Sequence, residues 1–275
     1  MQVAVEFRGC KNLVFAEVLT DDESGYTTGE VKVLAPVAEI SKSVETSREA
    51  HYYDNKAAII INTEGADTVT FTVAVPDDDV YALLTGRTYD STSKRFIESE
   101  RVDKYFAVGY ILGEVGEGED ERYVWRYKGQ FSIPEETSAT KNDGTDANNL
   151  SLEFSGIYTQ YEFTNGKGTG IAGAAKAMFI RESADVCTAT QFFATVATPD
   201  TSFPAYTLTK TQAANTTLTI TRGGVALDNN AVIFAGDVLT ITVTGGTVKV
   251  NGTNFTSGNT YTVAGNTTVV STAGA

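Results

Sequence analysis

At 275 residues the chain has room for one large or two ordinary domains. Its 21 lysines and arginines stand against 35 aspartates and glutamates, a net charge of −14, which excludes a protein built to grip a nucleic-acid backbone. With 41% hydrophobic and 10% aromatic residues it has the composition of a folded chain, and no apolar run approaches the roughly 20 residues needed to cross a bilayer. Residues 1–15 lack a basic start followed by a long apolar stretch, so a soluble protein without its own secretion signal is expected.

The polar stretch 41–55 lies between apolar runs ending near Leu34 and beginning near Ala57, and reads as an unusually long loop. It contains the only histidine, His51, which reads as an exposed loop residue; zinc sites and catalytic triads need more partners than one histidine supplies. Residues 57–63 then read as a strand returning across a turn, Glu64-Gly65-Ala66-Asp67, into a second strand. That second strand carries Val69, Phe71, Val73 and Val75 on one face and Thr68, Thr70 and Thr72 on the other. Pro76 and the run Asp77-Asp78-Asp79 open a helix to Leu84 that Gly86 ends; the acids suit the positive end of the helix dipole and lack the spacing of a calcium loop.

A longer hairpin follows. Residues 105–112 are nearly all apolar, 113–121 form an acidic glycine-rich loop, and 122–133 return with Tyr123, Trp125, Tyr127, Phe131 and Ile133 facing one way and Arg122, Arg126, Lys128 and Gln130 the other. The loop acids Glu114, Glu117, Glu119, Asp120 and Glu121 read as a solvated hairpin tip. The basic face of the returning strand, inside so acidic a region, is expected to pair with acids of the same or a neighbouring chain. After a strand over 150–163, Gly168-Thr169-Gly170-Ile171-Ala172-Gly173 fits G-x-G-x-x-G, but no run of alternating strands and helices surrounds it, so a flexible loop is expected instead of a dinucleotide site. Cys10 and Cys187 could form a single bridge, but one pair in a chain this long reads more readily as two reduced, partly buried thiols. No catalytic, metal or cofactor-binding residue is expected.

The chain changes character near Pro199 and Pro204. Beyond it, residues 206–275 carry Lys210, Arg222 and Lys249 against Asp228 and Asp237, a net +1, so the whole acidic excess lies in residues 1–205. This second region alternates Thr with Val, Leu and Ile between turn signals such as Gly223-Gly224, Gly245-Gly246 and Asn251-Gly252, the pattern of a small antiparallel sandwich or barrel. The expected organisation is a domain over 1–200, a linker over 201–205 and a β domain over 206–275, all mainly β with one flanking helix.

The order and spacing of several segments resemble the major tail protein, or tail-tube protein, of long-tailed phages with non-contractile tails. The segments are Gly9-Cys10-Lys11-Asn12-Leu13-Val14-Phe15-Ala16, Leu34-Ala35-Pro36-Val37-Ala38-Glu39-Ile40, Tyr53-Asp54-Asn55 and Val80-Tyr81-Ala82-Leu83-Leu84-Thr85-Gly86. They continue with Ala107-Val108-Gly109-Tyr110 and the run from Arg122 to Phe131. The resemblance covers about residues 5–200, and the tail beyond the linker resembles the immunoglobulin-like additions some of these proteins carry. It implies an antiparallel sandwich or barrel with one flanking helix and no enzyme activity. It also implies hexameric rings stacked into the tube through which the genome leaves, in a virion tail assembled in the bacterial cytoplasm. Implied partners are other copies, tape-measure, distal-tail and tail-terminator proteins, and DNA that passes without being held. In such proteins the loop corresponding to 41–55 joins rings, which marks Tyr52, Tyr53 and Asp54 as a ring-to-ring contact. An acidic lumen wall would keep DNA from sticking, and Glu64, Asp67 and the acids from Glu114 to Glu121 are its candidates. The alternatives from other classes are a host-surface carbohydrate binder using 206–275 and, given one histidine, least of all a glycan hydrolase.

Overall fold

The structure is a computed structural model and describes residues 6–53, 56–115, 119–135 and 149–274. It is mainly β, and among the described residues only two α-helices occur. The chain divides into two compact units, one of residues 1–181 with 195–200 and the other of 182–194 with 201–275. Residues 182–194, which precede the boundary read from composition, therefore group with the later unit.

In the first unit the strands are β1 (Glu6–Asp22), β2 (Gly25–Thr28), β3 (Lys32–Val33), β4 (Val37–Tyr53), β5 (Lys56–Val73), β6 (Thr88–Asp90), β7 (Arg95–Ile97), β8 (Phe106–Val115), β9 (Glu119–Phe131), β10 (Leu150–Gly156) and β11 (Ala177–Arg181). Helix α1 spans Asp78–Thr85. The main sheet runs in the order β2-β1-β8-β9-β10-β5-β4, with β3 added to β1 and β11 to β9, and every pairing in it is antiparallel. Strands β6 and β7 form a separate hairpin.

Alternation decides which side chains enter the core. Phe71, Val69 and Val73 of β5 join Leu152 and Phe154 of β10, Phe106, Val108 and Tyr110 of β8, and Leu13 and Phe15 of β1 in one cluster, which Leu84 of α1 also enters. The helix starts where the acids and Pro76 put it. It ends at Gly86, whose left-handed φ of 70° lets its own N–H and that of Arg87 bond back to the Leu83 and Ala82 carbonyls. Strand β9 is buried along both faces from Tyr123 to Lys128, and its backbone is paired along both edges, with β8 on one and β10 and β11 sharing the other.

Three expectations about local structure fail here. The supposed loop 41–55 is mostly strand, β4, and the supposed turn at 64–67 lies inside one continuous strand, β5. Gly65 marks a bulge instead of a reversal: from Val44 to Thr46 strand β4 takes two steps while β5 takes three, from Asp67 to Glu64. The strand expected over 150–163 stops at Gly156.

The second unit has β12 (Ala205–Thr211), β13 (Thr217–Arg222), β14 (Val225–Ala226), β15 (Val232–Phe234), β16 (Val238–Thr244), β17 (Gly246–Val250), β18 (Thr253–Phe255), β19 (Thr260–Thr262) and β20 (Thr267–Ala273), with α2 (Ala189–Ala194). One sheet runs β15-β12-β20-β17-β18 and the other β14-β13-β16-β19, and one apolar core takes Leu208, Ile233, Val248, Val250 and Val269 from the first and Leu218, Ile220, Leu239 and Ile241 from the second. The expected all-antiparallel pattern has one exception: β12 and β20 pair in parallel, Leu208 opposite Thr267.

Close packing of β9 on β10 leaves no room at Gly129, where a Cβ would overlap the Phe154 ring and lie 2.5 Å from the Ser155 carbonyl oxygen. Gly129→Ala should therefore cost about 1–3 kcal/mol of stability, read as a lower urea midpoint; an unchanged midpoint would contradict the tight β9–β10 contact.

Candidate functional site

Past the bulge, β5 has lost its pairing with β10, which ends at Asp67 opposite Gly156, and among the described residues β4 is its one remaining partner in the ladder. The pair continues as a two-stranded ribbon in which Thr46, Ser47, Arg48, Glu49, Ala50 and His51 face Glu64, Thr63, Asn62, Ile61, Ile60 and Ile59. Among the described residues β4 ends the sheet order, so no further strand is hydrogen-bonded to its outer edge. Ile59, Ile60 and Ile61 are 51%, 55% and 47% exposed. Because successive side chains alternate, Ile59 and Ile61 occupy one face and Ile60 the other, so both faces carry β-branched apolar groups left about half exposed. His51 is exposed on this ribbon strand instead of lying in a loop. Tyr52 and Tyr53 end β4 at the ribbon tip; their side chains, and Asp54 entirely, lie outside the described residues.

At the ribbon root a group of charges converges on Asp67, which is 3% exposed. Its carboxylate accepts from Arg126 Nη1 at 2.8 Å and pairs with Lys42 Nζ at 3.0 Å and Lys176 Nζ at 3.2 Å. Arg126, itself 5% exposed, also donates from Nε to the Tyr110 hydroxyl at 3.0 Å. Burial by itself raises the Asp67 carboxyl; the hydrogen bonds from Lys42, Arg126 and Lys176 outweigh it and hold the group below the usual carboxylate range. Lys176 is likewise lowered by burial and raised further by Glu64 and Asp67, ending above its ordinary value.

The other two cations of β9 are also engaged. Arg122 pairs with Glu114 of β8, and Lys128 Nζ lies 2.6 Å from Asp21 Oδ2 of β1. Arg122, Arg126 and Lys128 therefore tie β9 to β8, β5 and β1 through acids of the same chain. The face read as a basic surface is interior, because the sheet is covered on both sides at β9.

Two of the acids offered for a lumen wall are corrected by the same geometry. Asp67 is sealed in its cluster, and Glu114 is 2% exposed, held by Arg122 and by Arg181 at 2.7 Å. The hairpin ladder runs to Val115 opposite Glu119, so Glu114, Asp120 and Glu121 are strand residues instead of a solvated tip. Asp120 lies 3.8 Å from Arg181, Glu121 pairs with Lys11, and Glu64 is half exposed with Lys176 at 2.7 Å. Glu117 and the side chain of Glu119 lie outside the described residues.

Residues 157–176 leave the edge of β9 beside β10 and return to the same edge at β11. Two carboxylates pin the excursion: Asp21 accepts the N–H groups of Gln160 and Tyr161 at 2.9 Å, and Asp200 those of Thr164 and Asn165 at 2.9 Å. The G-x-G-x-x-G match lies here, leads into a strand instead of a helix, and is tied down by Gly170 N–H on Asn165 Oδ1 at 2.7 Å. Asp21, Asp200 and Lys176 were not singled out from sequence, since isolated charges without periodicity carry no signal of which distant groups they will bind.

One further face belongs to the site. On the side of β4, β5 and β10 away from the core, Glu39, Ser41 and Ser43 stand beside Thr72, Thr70 and Thr68, which stand beside Ser151, Glu153 and Ser155. These side chains are exposed or half exposed, and this stretch has hydroxyls and two acids with no cation among them. Elsewhere Cys10 and Cys187 are free thiols, Cys187 pushed up to about 11 by burial. Among the described residues no group of His, Cys, Asp and Glu is arranged to hold a metal ion, and no helix is long and apolar enough to cross a membrane. Compared with known proteins, the chain matches no family model and no curated sequence.

Asp67→Asn leaves the Arg126 guanidinium buried without its counter-charge and should cost about 3–5 kcal/mol. The sign with pH follows from the lowered native carboxyl: its contribution is complete above the unfolded value of about 4 and is lost as pH falls through the native one. Urea midpoints from pH 7 to pH 2.5 should therefore fall less steeply in Asp67→Asn than in the native chain; parallel curves would contradict the assignment.

Proposed function

We propose that this protein is a self-assembling structural subunit of the tail-tube kind, whose copies form stacked rings around a channel for DNA in a virion tail. The observation that carries the reading is the ribbon. An open-edged pair of strands bearing Ile59 and Ile61 on one face and Ile60 on the other is poorly suited to solvent, and a second copy of the chain would cover it. The unpaired edge of β4 and the short β2 at the far end of the same sheet offer two edges that neighbouring copies could join, removing both. Tyr52 and Tyr53, which end β4, and Asp54, which lies outside the described residues, keep their proposed role between rings.

The hydroxyl and acid face of β4, β5 and β10 supports the channel. A wall without cations neutralises no phosphate, so passing DNA gains no affinity from counter-ion release, and Glu39 and Glu153 repel it within about 8 Å at physiological salt. This reading moves the proposed lumen acids from Asp67 and Glu114 to Glu39 and Glu153. The second unit, two sheets on one core with first and last strands side by side, suits an immunoglobulin-like domain decorating the tail. The proposed role is structural and involves no catalysis.

Purified chain should form rings or tubes seen by negative-stain electron microscopy, with a matching fast species in sedimentation velocity. The double substitution Ile59→Asp and Ile61→Asp should leave monomers that melt like the native chain, since both side chains are already half exposed. Native chain that stays monomeric when concentrated, or variant tubes of normal length, would overturn the reading. Placing cations on the proposed wall, with Thr70→Lys and Glu153→Lys, should leave assembly intact and slow DNA release from particles, more at low salt than at high salt; release at the native rate at low salt would remove this face from the channel.

A further inference from the structure

The Lys176 side chain occupies an unusual position at the bulge of β5. Its ammonium lies 2.7 Å from Glu64 Oε1, on the ribbon side of the bulge, and 3.2 Å from Asp67 Oδ1, on the body side; between them it donates to the Gly65 carbonyl at the bulge itself. An ammonium has three donors, and here each goes to a different residue of the irregular stretch. Its stem is nearly closed off from solvent, at 8% side-chain exposure, and the ammonium lies 4.7 Å from the centre of the Tyr158 ring.

The bulge is the point at which the ribbon's direction can change. The ladder slips by one residue there, β5 loses β10, and Gly65 brings no side chain of its own; a Cβ at that position would lie 2.9 Å from the Glu45 carboxylate on the opposite strand. Backbone pairing with β4 alone does not fix the angle, because β4 is the sheet edge and bends with its partner. The lysine, by contrast, is anchored from outside the ribbon. Its carbonyl accepts the Tyr127 N–H of β9 at 2.9 Å, and the segment leading to it is held by Asp21 and Asp200.

We infer that Lys176 is a positioning residue that staples the two sides of the β5 bulge to the body and so fixes the angle at which the β4–β5 ribbon projects. Without it the ribbon pivots at Glu45 and Gly65 while the body remains folded. The inference concerns a single chain and holds whether or not copies assemble, so it is tested on monomer.

The test is a distance distribution between nitroxide labels at Ala50→Cys on the ribbon and Ser151→Cys on β10, in a chain carrying Cys10→Ser and Cys187→Ser, measured by double electron–electron resonance. The otherwise native chain should give one narrow distance. Lys176→Met, which keeps the stem and removes all three donors, should broaden it or add a second population while the chain still melts cooperatively. Glu64→Ala, which removes the ribbon-side anchor at a half-exposed position and leaves the Asp67 pairs in place, should broaden it as well and decides the matter alone if Lys176→Met fails to fold. A distribution as narrow and centred as the native one in the folded variants would overturn the inference.

Discussion

Asp67 is the constraint on which the rest of the first unit depends. A carboxylate at 3% exposure is tolerable only with its charge balanced and its lone pairs filled, and here strands β4 and β9 and the segment before β11 each supply a cation. Arg126 is as deeply buried and makes the dependence mutual. The interaction therefore acts on geometry more than on net stability: apolar residues of the same volume could fill the space, but would not require β4, β5, β9 and the 157–176 excursion to meet at one point.

That point is where the long strands change character. On the body side, β5 alternates core residues with threonines and is sandwiched between β4 and β10; on the ribbon side it carries isoleucine on both faces and has β4 alone. The same covalent strand thus spans a wall and a projecting arm. On the proposed reading, the face with hydroxyls and acids outward would line the channel and the arm with apolar groups on both faces would meet a neighbouring copy. The cations, which would be harmful on such a wall, are held in the interior by Asp21, Asp67 and Glu114.

Much of the fold was legible in the sequence because it rests on period. The alternation of Val69, Phe71 and Val73, the helix start at Asp77 and its stop at Gly86, and the Thr-alternating second region appear where the pattern puts them; the single aromatic face expected from Tyr123 to Ile133 does not, because β9 bulges between Arg126 and Gly129 and so brings Val124 into the same core cluster as Phe131. The site was less legible for physical reasons. Residues 41–53 imitate a loop because Ser41 and Ser43 lie on the outward face of the sheet and the ribbon part from Thr46 is exposed and polar; Gly65 was read as a reversal because a glycine between acids serves a turn and a bulge equally well. The acids of β8 and β9 looked solvated because composition carries no information about which charges will be paired in the interior. Lys176, Asp21 and Asp200 act across more than a hundred residues or from irregular backbone, where no local period exists.

If copies assemble as proposed, the ribbon becomes interior where they meet. Hydrogen–deuterium exchange of the backbone amides of residues 46–51 and 59–64, compared between dilute monomer and concentrated or assembled protein, tests it most directly. The account predicts fast exchange on the outward-facing amides of β4 in the monomer and marked protection in the assembly, while amides in the β9 interior remain protected throughout. Equal, fast exchange of the ribbon amides in monomer and assembly would contradict it.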